Sequence, residues 1–195
     1  MLIDSAAKVV GQYGYAGASI LRITQNANVG QGTFYNYFES RQELLNHLLP
    51  MWGREMLAYI KARIDPQAEG AEREAQRIRA YFNFLVEHPW FHRLVNEAET
   101  LAPVAHERYF KEVSEGYIRA LKRSLERGEL RGYDEEDLEP LAYMLMATRT
   151  YLAQRYAYED GRVQPVPEKV FLAYVKFVRS ALFSDGESHS DSRER

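Results

Sequence analysis

The 195-residue chain contains no cysteine, which excludes a disulfide framework and thiolate metal sites and fits a reducing compartment. Cytoplasm is the expected location. No apolar run approaches the roughly 18 residues of a spanning helix, and Met1-Leu2-Ile3-Asp4 lacks the basic flank of a signal peptide, so neither membrane nor export is expected. Catalytic patterns are missing too: there is no G-x-S-x-G elbow, no kinase-like loop and no H-E-x-x-H. His88, His92 and Glu99 do not make a metal set, because Pro89 bends the chain between the histidines. No enzyme, metal or cofactor is expected. Gly30-Gln31-Gly32 lacks the third glycine of a dinucleotide loop and the Lys-Ser/Thr of a P-loop. Surplus positive charge is also lacking. The net charge is -3, and residues 1–49 balance Lys8, Arg22 and Arg41 against Asp4, Glu39 and Glu43. Any nucleic-acid binding must therefore rest on a few phosphate contacts, helix N-termini and a doubled site, not on a broad positive field.

What is present is a globular composition, 46% hydrophobic and 27% charged, patterned helix after helix with no convincing alternating strand. Residues 2–13 put Leu2, Ile3, Ala6, Val10 and Tyr13 on one face, and Gly14 offers a left-handed cap. Ser19 caps a short second helix to Ala27, and residues 31–37 form a third. Ser40-Arg41-Gln42-Glu43 is a capping box opening a long fourth helix, in which Pro50, helped by Gly53, predicts a kink. A fifth helix stops at His88-Pro89, a sixth spans about 90–100, and a seventh ends at Gly128. The eighth is expected over 135–159 and the ninth from Pro167 to about Phe183. Both are apolar on more than one side, which predicts burial against a second copy in a four-helix bundle.

The block LIDSAAKVVGQYGYAGASILRITQNANVGQGTFYNYFESRQELL, about the first quarter of the chain, resembles the DNA-binding domain of the tetracycline-repressor (TetR) family. The resemblance is carried jointly by the apolar first helix, Gly14-Tyr15, Ser19-Ile20 with Ile23, Ala27-Asn28-Val29, Gly32-Thr33-Phe34-Tyr35 with Phe38, and Ser40-Arg41. It implies an all-α fold: a three-helix helix-turn-helix domain over residues 1–47, a helical ligand-binding and dimerisation domain over 48–184, and a polar, disordered tail over 185–195. It also implies a dimeric, ligand-responsive regulator, most simply a repressor released from a near-palindromic operator by a small hydrophobic or amphipathic effector.

In a helix-turn-helix the second helix of the pair lies in the major groove. Phe34 and Phe38 then face inward. Gln31, Thr33, Tyr35, Asn36 and Tyr37 supply the outward set, Gly32 lets the backbone approach DNA, and Asn28 tolerates the left-handed turn. Ser19, Arg22, Thr24 and Arg41 are the phosphate candidates. The pattern departs from the family at Gln31, Gly30 and Thr24, where lysine, serine and alanine are usual, and no basic arm precedes the first helix. The implied effector site draws on Trp52, Met56, Tyr59, Phe82, Leu85, Trp90, Phe91, Leu94, Tyr117, Leu121, Met144 and Tyr151, with Arg149 and Arg155 as polar exceptions able to meet an anion and Glu97 and Glu99 able to meet a cation, both readings falling if these groups pair with one another. The effector is expected to act through the fourth helix at Pro50. The competing reading is an α-helical small-molecule binding protein whose front domain has lost operator binding.

Overall fold

The computed structural model describes residues 1–159 and 162–183; the expected tail at 185–195 lies outside the described residues. Nine helices are found among the described residues: α1 (Leu2–Gly17), α2 (Ile20–Asn26), α3 (Gln31–Tyr35), α4 (Arg41–Lys61), α5 (Gly70–Glu87), α6 (Phe91–Leu101), α7 (Pro103–Glu126), α8 (Leu138–Tyr156) and α9 (Glu168–Leu182). None is long and apolar enough to cross a membrane. The architecture is all-α, with a three-helix helix-turn-helix unit in front.

The first helix runs past its expected end. Gly14 does adopt positive φ (72°), but with ψ at 170° it is a break rather than a left-handed cap, and one more turn follows to Gly17. A break strands backbone groups that need new partners. Two α6 side chains supply them: Glu97 Oε2 accepts from the Tyr15 amide at 2.7 Å, and Arg93 Nη1 donates to the carbonyls of Gly11 (3.2 Å) and Gln12 (3.1 Å). The extra turn buries the whole Tyr15 ring. Tyr13, expected on the apolar face, is instead exposed, with the Arg22 guanidinium 4.6 Å above its ring.

Ser19 caps α2, its Oγ accepting from Arg22 N at 3.3 Å. Asn28 has φ of 54°, as its turn requires. The Ser40 half of the capping box ahead of α4 forms, Ser40 Oγ accepting from Glu43 N at 3.1 Å, while the Glu43 carboxylate reaches one residue past the cap and accepts from Glu39 N at 2.6 Å. Ser40→Ala should remove about 1 kcal/mol of stability, lowering the melting temperature by roughly 2–4 °C in a thermal unfolding scan. Helix α4 is continuous through Pro50. Gly53 has a different use, because a Cβ there would sit 2.5 Å from the ring of Tyr109, so the glycine lets α7 approach α4 closely.

Helix α8 starts later than expected because the acidic run bonds to its own backbone: Asp137 accepts from Asp134 N and Asp134 from Glu136 N, both at 2.9 Å. It also ends earlier. Tyr158–Glu159 (β1) pairs antiparallel with Arg162–Val163 (β2), a short hairpin where continued helix was expected. In the rear of the molecule α4 packs on α5 and α7, α7 on α8, and α5 on α9. One apolar cluster runs from Leu2 to Phe183, so the reading head and the helices behind it share a continuous core.

Candidate DNA-reading surface and effector core

Phe34 is fully buried and anchors α3 in the front domain, with Phe38 half-buried beside it at 5.7 Å between ring centres. With that side committed, the opposite edge is free. Gln31, Gly32, Tyr35, Asn36 and Tyr37 are exposed and Thr33 is half-buried. Nothing lies within 4 Å of where a Cβ would sit at Gly30 or Gly32. The edge presents amide, hydroxyl and phenol groups with no formal charge, suited to base edges and phosphate oxygens.

The phosphate candidates divide. Ser19 and Arg22 are exposed, although Arg22 Nη1 also donates to Gly17 O at 2.7 Å. Thr24 is a correction: it is 1% exposed, and its hydroxyl donates back to the carbonyls of Ile20 (2.9 Å) and Leu21 (3.1 Å). It has no route to DNA. Arg41 is half-buried and donates to the carbonyls of Tyr15 and, at 2.6 Å, Ala18, tying the end of α1 to the start of α4. Leu21, which sequence reasoning passed over, is exposed next to Arg22.

The expected effector residues differ in burial. Met56, Phe82, Phe91, Leu94, Tyr117 and Leu121 are buried, while Trp52, Tyr59 and Trp90 are half-buried. Trp52 and Trp90 meet edge-on at 4.4 Å, and Tyr59 donates to Glu87. Met144 and Tyr151 are corrections: at 62% and 71% exposed, they lie on the outer side of α8, away from the core. The reason is rotational, since α8 is apolar on several sides and its inner side is taken by Leu141, Leu145, Met146 and Arg149.

The enclosed space lies elsewhere, as a cavity of about 20 Å3 between α5, α6, α7 and α8. Of the expected set it uses Leu85, Phe91 and Arg149; it adds Tyr81, His92, Val95, Asn96, Tyr109, Phe110, Met146 and Thr150. Tyr81 and Phe110 were visible as members of helical stripes, but nothing local marked Tyr109 or His92 as cavity residues. Burial lowers the His92 imidazole pKa below its ordinary value, and its ring stacks on Tyr158 at 3.8 Å. Arg149 is 3% exposed, and its Nε and Nη1 have no hydrogen-bond partner. By contrast Glu97 is engaged by Arg93 and by the Tyr15 amide.

Outside the core, α8 and α9 flank an open apolar groove of about 400 Å3 that includes Leu152, Tyr156, Val170, Ala173 and Phe177. Tyr143, Met144, Tyr151, Leu172 and Phe177 are exposed on the same two helices.

An exposed, uncharged recognition helix propped on Phe34 behind a capped partner helix defines a helix-turn-helix DNA-binding regulator. Residues 2–48 match the family model for bacterial regulatory proteins of the tetR family. The chain's relatives extend over the whole length. The transcriptional repressor KstR2 of Mycobacterium tuberculosis is 23% identical over 190 residues, 95% of this chain and 92% of the relative. The transcriptional regulator YhgD of Bacillus subtilis is 21% identical over 160 residues, 82% and 83% of the two chains. Among solved structures, the fatty acid degradation regulator FadR of Bacillus halodurans superposes with a TM-score of 0.74 at 20% identity, covering 96% of this chain and 95% of that one. FadR of Bacillus subtilis, solved in complex with stearoyl-CoA, gives 0.72 at 19% identity, covering 91% and 95%. The protein is a transcriptional regulator, a reading these relatives favour over a binding protein with a silenced front domain.

Proposed function

We propose that the protein is a homodimeric repressor that reads a near-palindromic operator with one α3 per half-site. A small hydrophobic or amphipathic effector, entering the core between α5, α6, α7 and α8, releases it. The exposed edge of Gln31, Gly32, Thr33, Tyr35, Asn36 and Tyr37, with Phe34 locked beneath it, carries the DNA reading. Ser19 and Arg22 supply phosphate contacts, and the uncovered groove of α8 and α9 supplies the dimer seam.

Helix α6 is well placed to pass the signal forward. One of its sides faces the cavity with Phe91, His92, Val95 and Asn96; the other holds the broken end of α1 with Arg93 and Glu97. An effector that shifts α6 changes the separation of two reading heads, and heads misplaced for successive major grooves lose their second set of contacts. The stearoyl-CoA bound by the Bacillus subtilis neighbour makes acyl compounds the first effectors to try.

Selection of bound duplexes from random DNA at low ionic strength tests the reading. The expected product is an inverted repeat whose affinity falls steeply with added salt; a pool with no shared sequence would refute operator reading. Against the selected duplex, Gln31→Ala should weaken binding by about 1–3 kcal/mol per head and relax the preference at one position of each half-site, as read by fluorescence anisotropy on single-base variants.

A further inference from the structure

The space between α5, α7 and α8 holds a buried cation with no anion to match it. Arg149 lies with its guanidinium carbon 4.4 Å from the ring centre of Tyr81 and 5.3 Å from that of Tyr117. A guanidinium stays charged in a protein. Burial raises the pKa of Tyr81, Tyr109 and Tyr117 above the ordinary value, so these neighbours are neutral phenols. Their faces attract a cation, but more weakly than lost hydration penalises it. The buried carboxylate of this region, Glu74, is already held by Arg77 and by the Tyr174 hydroxyl at 2.7 Å. Among the described residues no carboxylate forms an ion pair with Arg149. The Tyr158 hydroxyl is likewise buried without a hydrogen-bond partner, and the Tyr117 hydroxyl lies beside Arg149 and favours its charged form. Buried donors left over in a folded protein call for an explanation.

We infer that Arg149 is the seat for an anionic group on the effector, a carboxylate carried on an apolar body, with the Tyr117 hydroxyl as an additional donor. The inference rests on the effector-core reading above and specifies its ligand. A carboxylate brings two acceptor oxygens and one negative charge, matching the guanidinium fork. Leu85, Phe91, Val95, Phe110 and Met146 line the adjoining cavity and set the apolar body. At about 20 Å3 that cavity has room for little more than one water. The ligand must therefore displace side chains, which a slim unbranched tail does with least disturbance.

The test uses the full chain with octanoate and its neutral methyl ester as probes, read by calorimetric titration and melting temperature. Octanoate should bind on the order of 10- to 100-fold more tightly than the ester, the range of a hydrogen bond to a charged partner, and should raise the melting temperature. Arg149→Met should abolish that preference while the ligand-free variant melts no lower than wild type, because an apolar side chain replaces an unmatched buried charge; a purely structural arginine would give the opposite melting result. Should the Met variant not fold, Tyr117→Phe carries the test and should weaken octanoate several-fold without affecting the ester. Equal affinity for acid and ester, no octanoate binding, or a preference that survives the substitutions overturns the inference. If the ester or another neutral compound still binds and releases the selected duplex, the effector-core reading stands and the anion seat alone falls.

Discussion

A chain carrying Tyr151→Asp together with Phe177→Asp is expected to be a monomer by sedimentation and to bind its operator roughly 100- to 10,000-fold more weakly. The argument starts from where these side chains lie. Tyr151 and Phe177 are 71% and 58% exposed, so neither supports the fold of a single chain and the double variant should keep its helical circular dichroism. Between the two helices runs the apolar groove that includes Leu152, Val170, Ala173 and Phe177. A helix pair with this much uncovered apolar surface is served most economically by a self-complementary seam with a second copy. Carboxylates introduced into such a seam must be desolvated without a partner, which costs more than the seam can return. Each reading head has few cationic side chains, three in residues 1–49 against three acidic ones. Affinity therefore depends on joining two weak half-site contacts, and separating the heads loses the effective concentration that joins them. A double variant that stays dimeric would move the seam elsewhere; a monomer that keeps full affinity would remove the need for a doubled site.

Gly11→Ala should lower stability by about 3 kcal/mol, a fall in melting temperature of roughly 6–12 °C, and should weaken the response of DNA binding to effector more than effector affinity itself. A Cβ on Gly11 would stand 2.1 Å from Cβ of Trp90 and 3.1 Å from its Cα. These atoms belong to the base of a side chain and to backbone, so no rotamer change relieves the overlap and α1 must part from α6. Trp90 is also held from the far side by Trp52 at 4.4 Å. Parting the helices stretches the hydrogen bonds from Arg93 to Gly11 and Gln12 and from Tyr15 to Glu97, the links that tie the reading head to the cavity-lining helix. Parallel titrations of effector and operator on wild type and variant separate the two effects. An unchanged melting temperature would refute the close approach of α1 to α6 at Gly11.

Local chemistry made much of this molecule legible. The helix order follows from apolar spacing, the caps at Ser19 and Ser40 from side chains three residues ahead of an amide, the turn at Asn28 from its tolerance of positive φ, and the inward placement of Phe34 from its neighbours on a short helix. Each depends on atoms a turn or two away along the chain, so periodicity and residue type suffice.

What required the tertiary structure was everything set by how distant helices rotate and cross. Thr24 has the chemistry of a phosphate donor, but α2 is turned so that its hydroxyl bonds its own helix. Arg41 straps two helix ends together. Met144 and Tyr151 share α8 with Arg149, yet only Arg149 faces the core. A helix that is apolar on several sides carries no local mark of which side turns inward, because that choice belongs to the partners it packs against. The sequence by itself therefore determined the elements and the class of regulator. Only packing between α1 and α6, and among α5, α6, α7 and α8, decided where the head is tethered and which arginine is buried.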